Sequence, residues 1–157
     1  MAAPGERKLV ATHRKARFEY EILETVEAGI ALLGPEVKSL RAGNASLADA
    51  YAVVRRNELW LVNAHVSPYA QASRENPDPR RERKLLLHRA EIDRLASRVA
   101  ERGLTLVPLS LYFREGRVKV ELGLARGRRR HDKREVIRER EEERMLRRTV
   151  RERGRRA

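Results

Sequence analysis

Apolar and polar side chains alternate through most of the first 125 residues, and a period of two predicts strands rather than helices. Phe18, Tyr20 and Ile22 alternate with Glu19 and Glu21. Glu27-Ala28-Gly29 reads as a break, after which Ile30-Ala31-Leu32-Leu33 predicts a second strand, buried on both faces. Gly34-Pro35-Glu36 starts a short helix, with proline in the first turn and the acid at the positive end of the dipole. Gly43 stops it after Arg41. Residues 51–55 and 59–62 flank Arg56-Asn57-Glu58 as a hairpin. Pro68, Pro77 and Pro79 make 67–83 an exposed, irregular, arginine-rich loop. Leu85-Leu86-Leu87 leads into a helix with Ile92, Leu95, Ala96 and Val99 on one face and Gly103 behind it. Leu104, Leu106, Leu109, Leu111 and Phe113 then alternate, with a phase shift at Pro108 that marks a bulge or an edge. After Glu115-Gly116, the alternation returns in Val118, Val120, Leu122 and Leu124.

About six short antiparallel strands with two or three helices must hide their edges, and a small closed barrel does so. The pattern is that of a mainly β domain. Patterning by itself fits an OB-fold-like barrel or a small open sheet with helices on one face, and the barrel is the expectation.

Charge divides the chain. There are 36 Lys+Arg and 23 Asp+Glu, a formal +13. Residues 126–157 carry 15 basic and 7 acidic side chains, a net of +8, against 21 and 16, a net of +5, in residues 1–125. The stretch after Ala125 has only Val136, Ile137, Met145, Leu146 and Val150 as large apolar residues, too few for a core. The expected division is therefore a folded domain at 1–125 and a basic tail at 126–157, disordered or helical when bound to an anionic partner. An excess of this size points first to nucleic acid.

Other chemistry is sparse. With no cysteine there is no disulfide, thiol nucleophile or Cys-based zinc site, and four scattered histidines leave little room for a metal. The glycines form neither GxxxxGK[ST] nor GxGxxG, and no serine sits in GxSxG. The carboxylates are interleaved with arginine, as on an ion-paired surface, and His88 with Glu91 reads as a helix cap beside a solvated acid. No catalytic residue, cofactor or metal is expected. The N-terminus lacks an apolar leader region and no stretch reaches membrane-span length, so a cytoplasmic protein without a membrane partner is expected.

Three basic runs remain: Arg14-Lys15-Ala16-Arg17, Arg80-Arg81-Glu82-Arg83-Lys84, and Arg126-Gly127-Arg128-Arg129-Arg130-His131-Asp132-Lys133-Arg134. Each by itself reads as phosphate track or as ordinary solvated surface. Of seven aromatics, Phe18, Trp60 and Phe113 fall on core-facing positions, which leaves few for stacking single-stranded bases. Recognition of a folded RNA by charge and shape fits better. A ribosomal or ribosome-assembly coat protein and a metal-dependent RNA-processing enzyme are the competing readings.

Read in order, several runs resemble one family: 14–20 (Arg-Lys-Ala-Arg-Phe-Glu-Tyr), Glu27-Ala28-Gly29-Ile30, 34–43 (Gly-Pro-Glu-Val-Lys-Ser-Leu-Arg-Ala-Gly), 83–88 (Arg-Lys-Leu-Leu-Leu-His), 103–109 and His131-Asp132-Lys133-Arg134. Together these are similar to the small protein B (SmpB) family, the SsrA-binding proteins of bacterial trans-translation. The resemblance implies an OB-fold barrel that binds the tRNA-like domain of transfer-messenger RNA, one protein per RNA. It further implies delivery to the A site of stalled ribosomes, with the tail in the decoding centre and the empty mRNA channel. The family's RNA-facing positions fall on Glu27, Leu86 and Lys119, to which the basic runs add Arg14, Lys15, Arg17 and Lys84. The tail positions are Arg128, Arg129, Arg130, His131, Asp132, Lys133, Arg134, Ile137, Met145 and Leu146. Two positions depart from the family: His13 stands where Asn is usual, and Asn76-Pro77-Asp78-Pro79 where Asn-His-Asp-Pro is usual.

Overall fold

The chain folds in the order β1 (Arg7–Thr12), α1 (Ala16–Glu19), β2 (Tyr20–Ile30), α2 (Gly34–Arg41), β3 (Ala45–Ser46), β4 (Tyr51–Arg55), β5 (Glu58–Val62), β6 (His65–Val66), β7 (Arg83–Leu86), α3 (Arg89–Val99), β8 (Leu104–Arg114) and β9 (Arg117–Gly127). This computed structural model describes residues 6–71, 76–101, 103–127, 138 and 140–149. Among them, β8, β4, β5, β7, β2 and β9 pair antiparallel in that order, and β9 pairs back onto β8. The ring of six strands is closed, so the barrel is formed and the open sheet is not. β1 lies outside the ring on β8, and β3 pairs separately with β6.

Closure gives the barrel an apolar interior. Leu59, Leu61, Leu85, Leu106, Leu111, Val120, Leu122 and Leu124 are buried there, and Ile92 and Leu95 of α3 join the same cluster. Leu40 of α2 packs into it beside Leu47 and Ala64. A second cluster forms on the other side of the sheet, where Ala16 of α1 meets Val107, Leu109 and Ala125.

Several expected elements stand where the pattern placed them. Arg56 and Asn57 turn the β4–β5 hairpin, and Glu115 and Gly116 the β8–β9 hairpin, all four with positive φ. Gly43 and Gly103 follow α2 and α3 with φ of +80° and +84°. The register of β8 shifts between Pro108 and Ser110, as the missing proline N–H demands.

Other elements differ. Ala16–Glu19 is a helical turn, so Phe18 precedes the strand that starts at Tyr20. Glu27-Ala28-Gly29 does not break β2, which runs on to Ile30. The chain from Ala31 to Leu33 is not a strand. The exposed edge strand β1 carries no alternation to announce it. Leu85 and Leu86 end a strand that begins at Arg83, and β9 continues to Gly127, two residues past the composition break.

Candidate nucleic-acid interface

Register brings distant segments into one row across the outside of the barrel. Leu86 of β7 faces Gly29 of β2, Gly29 faces Lys119 of β9, and Lys119 faces Tyr112 of β8. In the neighbouring row Glu27 faces Glu121. Two carboxylates side by side repel unless each is neutralised, and here both are. Arg114 Nη1 donates to Glu27 Oε2 at 2.6 Å, and the Tyr112 hydroxyl donates to the same oxygen at 2.5 Å. Arg7 Nη1 donates to Glu121 Oε2 at 2.7 Å. The Arg7 guanidinium also lies 4.4 Å from the centre of the Tyr112 ring.

The result is a tyrosine on the outer face that is nonetheless fully buried. Burial, with the hydrogen bond and charge of Glu27 in support, pushes the Tyr112 phenol well above its usual value, so it remains a donor. The hydrogen bond to Glu121 raises the Arg7 guanidinium in turn. Glu27 is thereby held in place by Tyr112 and Arg114, with 28% of its side chain still exposed. An acid so fixed can accept from a nucleobase amino group or a 2′-hydroxyl, which makes it a selecting group rather than a source of affinity. Its supports, Tyr112 and Arg114, lie more than 80 residues along the chain. The only sequence signal for them is the outward phase of Tyr112 between Leu111 and Phe113.

Leu86 departs from the ordinary reading of a leucine run as core. Arg83 and Leu85 point inward and are fully buried, whereas Leu86 is 50% exposed. It lies across Gly29: a Cβ on that glycine would stand 3.2 Å from the Leu86 Cβ. At Gly29 it is the close approach of a neighbouring strand, not a turn, that leaves little room for a side chain. Leu86 and Lys84, with Glu58 and Arg89, line a shallow recess of about 290 Å³.

Arg14, Lys15 and Arg17 are all exposed around α1, with Ala16 between them anchored beneath. Arg14 and Arg17 line an open cleft of about 350 Å³ whose wall also holds Arg7 and Glu121, so the first basic run adjoins the Glu27 row. His13 is buried at the foot of this cleft. Its Nδ1 lies 3.0 Å from the Pro108 carbonyl, which accepts only, so Nδ1 carries the hydrogen. Its backbone N–H donates to Leu109 O at 2.9 Å. At this departure from the family pattern, histidine clamps the β8 bulge.

The second basic run is not all free surface charge. Arg83 is fully buried, and its Nε donates to Glu36 Oε2 at 2.6 Å. Arg81 Nη2 donates to Glu36 Oε1 at 2.5 Å, and the Leu33 N–H to the same oxygen at 2.9 Å. Burial alone would raise the Glu36 carboxyl, but the bonds from Arg81, Leu33 and Arg83 outweigh it and hold the group below the usual carboxylate range. Burial lowers the Arg83 guanidinium, against the pull of Glu36. Arg80 donates to Asn63 and Glu82 pairs with Arg55. Lys84 alone of the run's cations projects from the barrel wall. In the departing loop, the Asn76 side chain both accepts from Tyr69 N–H and donates to Tyr69 O, so Pro77 follows a closed clamp.

Arg128, Arg129, Arg130, His131, Asp132, Lys133, Arg134 and Ile137 lie outside the described residues. Residues 140–149 are helical and exposed, with Met145 and Leu146 67% and 66% accessible.

The model of the SmpB protein family matches residues 10–152. An SsrA-binding protein of Mycobacterium leprae (strain Br4923) is 57% identical over 98% of this chain and 94% of its own length. One of Gloeothece citriformis (strain PCC 7424) is 55% identical over 93% and 95%. A solved chain described as "tmRNA-SmpB: a journey to the center of the bacterial ribosome" is 52% identical, covers 87% of this chain and 96% of that one, and superposes with a TM-score of 0.64. With the family model and its relatives matching along nearly the whole length, the chain belongs to the SmpB family.

Proposed function

We propose that this chain binds the tRNA-like domain of transfer-messenger RNA and delivers it to the A site of stalled ribosomes for trans-translation. The observation that carries this reading is the convergence of Glu27, Leu86 and Lys119, from three different strands, on one outer face of the barrel. Lys119 contributes charge toward phosphate, Leu86 an apolar surface against an unstacked base, and Glu27 a fixed acceptor. Arg14, Lys15, Arg17 and Lys84 extend the positive field on either side. The names of the relatives, SsrA-binding protein, and the tmRNA-SmpB neighbour support the same RNA and the ribosome as partners.

The protein performs no chemical step of its own in this reading. It acts in the cytoplasm as one protein per RNA, with the tail from 128 onward occupying the decoding centre and the vacant mRNA channel. Among the described residues no helix is long and apolar enough to cross a membrane.

The test is salt-titrated binding to the tRNA-like half of transfer-messenger RNA, an ordinary tRNA, and a duplex DNA of equal length. A preference for the first that persists as salt rises supports specific recognition beyond counterion release. Equal affinities that collapse together with salt would leave a general ribosomal-RNA coat protein. Truncation after Gly127 keeps β9 whole. It should spare RNA binding and abolish tagging on stalled ribosomes; loss of both would refute the division of labour.

A further inference from the structure

Trp60 is the chain's single tryptophan, and its place in the apolar run Leu59-Trp60-Leu61-Val62 reads as core. The structure puts it on the opposite side of the strand. Leu59 and Leu61 are fully buried in the barrel, whereas Trp60 is partly exposed and belongs to neither buried cluster. Across the ladder it faces Lys84 of β7 and Val53 of β4, both only partly buried. Lys84 and Leu86 are consecutive outward residues of β7, so the indole stands one strand further round the barrel from Leu86.

The charges around it are arranged unevenly. Arg89 Nη2 pairs with Glu58 at 2.7 Å and Arg55 with Glu82 at 2.7 Å. Those four side chains neutralise one another at the edges of the patch. Among the described residues Lys84 has no ion-pair partner, which leaves a bare ammonium beside a partly bare indole. That pairing is the chemistry of a base-stacking platform: the ring takes the face of a base, and the cation takes the phosphate beside it.

We propose that Trp60 and Lys84 form a stacking subsite for one unpaired nucleotide of the same RNA that Glu27, Leu86 and Lys119 hold. The inference rests on the proposed RNA-binding function and extends its surface from β2, β7 and β9 onto β5. Stacking is tolerant of base identity, so the subsite adds affinity and fixes orientation without reading sequence. It also returns to the proposed RNA surface an aromatic that its apolar neighbours in sequence make look like core.

Because Trp60 is the only tryptophan, indole emission reports this one position. The full chain is titrated with the tRNA-like half of transfer-messenger RNA carrying a 3′ dye. Dye anisotropy follows binding while tryptophan emission and its quenching by acrylamide follow Trp60. The expected result is strong quenching of the indole, with protection from acrylamide, at the same midpoint as the anisotropy. Trp60→Leu should bind about tenfold more weakly and Trp60→Phe nearly as well as the parent, the usual range for loss of one stacked base. Circular dichroism and the unfolding midpoint verify that both variants fold; the emission titration needs no variant. RNA that saturates the dye signal while Trp60 emission and accessibility stay unchanged would overturn the subsite and leave the RNA-binding function standing. So would a folded Trp60→Leu that binds as tightly as the parent. No change in dye anisotropy would overturn the RNA-binding function, and the subsite with it.

Discussion

Glu36→Gln removes a charge and preserves a shape, which isolates what the buried Arg81–Glu36–Arg83 cluster contributes to the barrel. Arg83 is the side chain at risk. Its guanidinium donates to Glu36, to Ala64 O at 2.9 Å, to Arg81 O at 3.1 Å and to Pro79 O at 3.0 Å. After substitution the carbonyl dipoles remain but the ion-pair partner of a fully buried cation is gone. Removing one partner of a buried pair costs about 3–5 kcal/mol. Arg81, with 29% of its side chain exposed, re-solvates, so the lower end, about 3 kcal/mol, is expected. Against a domain stability of about 5–15 kcal/mol this is a large fraction. In urea unfolding followed by Trp60 emission, the midpoint should fall by about 1–3 M at an unchanged m-value. The pH dependence supplies the sign. A carboxyl held below its usual range contributes stability that is complete above about pH 4.3 and is lost as pH falls through its folded value. The curves for parent and variant should therefore converge in acid. A deficit equal at pH 3 and pH 7, or a midpoint that does not move, would refute the assignment of this stability to the Glu36 charge.

Two further substitutions probe the outer face. Gly29→Ala places a Cβ 3.2 Å from the Leu86 Cβ and should cost about 1–2 kcal/mol by overpacking, read as a lower urea midpoint. It should also weaken RNA binding by displacing Leu86; a variant with unchanged affinity would separate Leu86 from the RNA. Lys119→Ala should weaken binding to all RNAs alike and reduce the slope of log K against log salt by about one, measured by titration at several salt concentrations.

How much of this was legible in the sequence depends on how far away each partner lies. The hairpins, α2 and α3, the positive-φ glycines and the Pro108 bulge are set by neighbours a few residues off, and alternation or a lone glycine reveals them. Gly29 reads as a breaker because the strand that passes over it arrives 57 residues later, at Leu86. Arg83 reads as exposed because its counter-ion lies 47 residues earlier, at Glu36. Trp60 reads as core because a tryptophan between two leucines looks apolar, yet only Leu59 and Leu61 fit the interior phase of β5. The resemblance of motifs reached Glu27, Leu86 and Lys119. It did not reach Tyr112, Arg114 and Arg7, which hold Glu27 through contacts between strands.

An acid at the centre of the face proposed to bind RNA needs a reason, and its partners supply one. Bare, Glu27 would repel the RNA backbone; with Arg114 at 2.6 Å and the Tyr112 hydroxyl on the same oxygen, the local charge is balanced and the acceptor is aimed. Glu27→Gln separates these effects. The amide keeps the shape but releases Arg114 from its counter-charge, so the face becomes more positive and attracts any RNA more strongly. At the same time the amide oxygen is a poorer acceptor, and the hydrogen bond to a particular amino or hydroxyl donor weakens. A hydrogen bond involving a charged group contributes about 1.5–3 kcal/mol, so the preference for the tRNA-like domain over ordinary tRNA should fall about tenfold or more. Affinity for ordinary tRNA should hold or rise, with a steeper salt dependence. Paired titrations of the two RNAs at two salt concentrations measure the ratio directly. If both affinities fall by one common factor, Glu27 serves the fold of the face and not the choice of RNA.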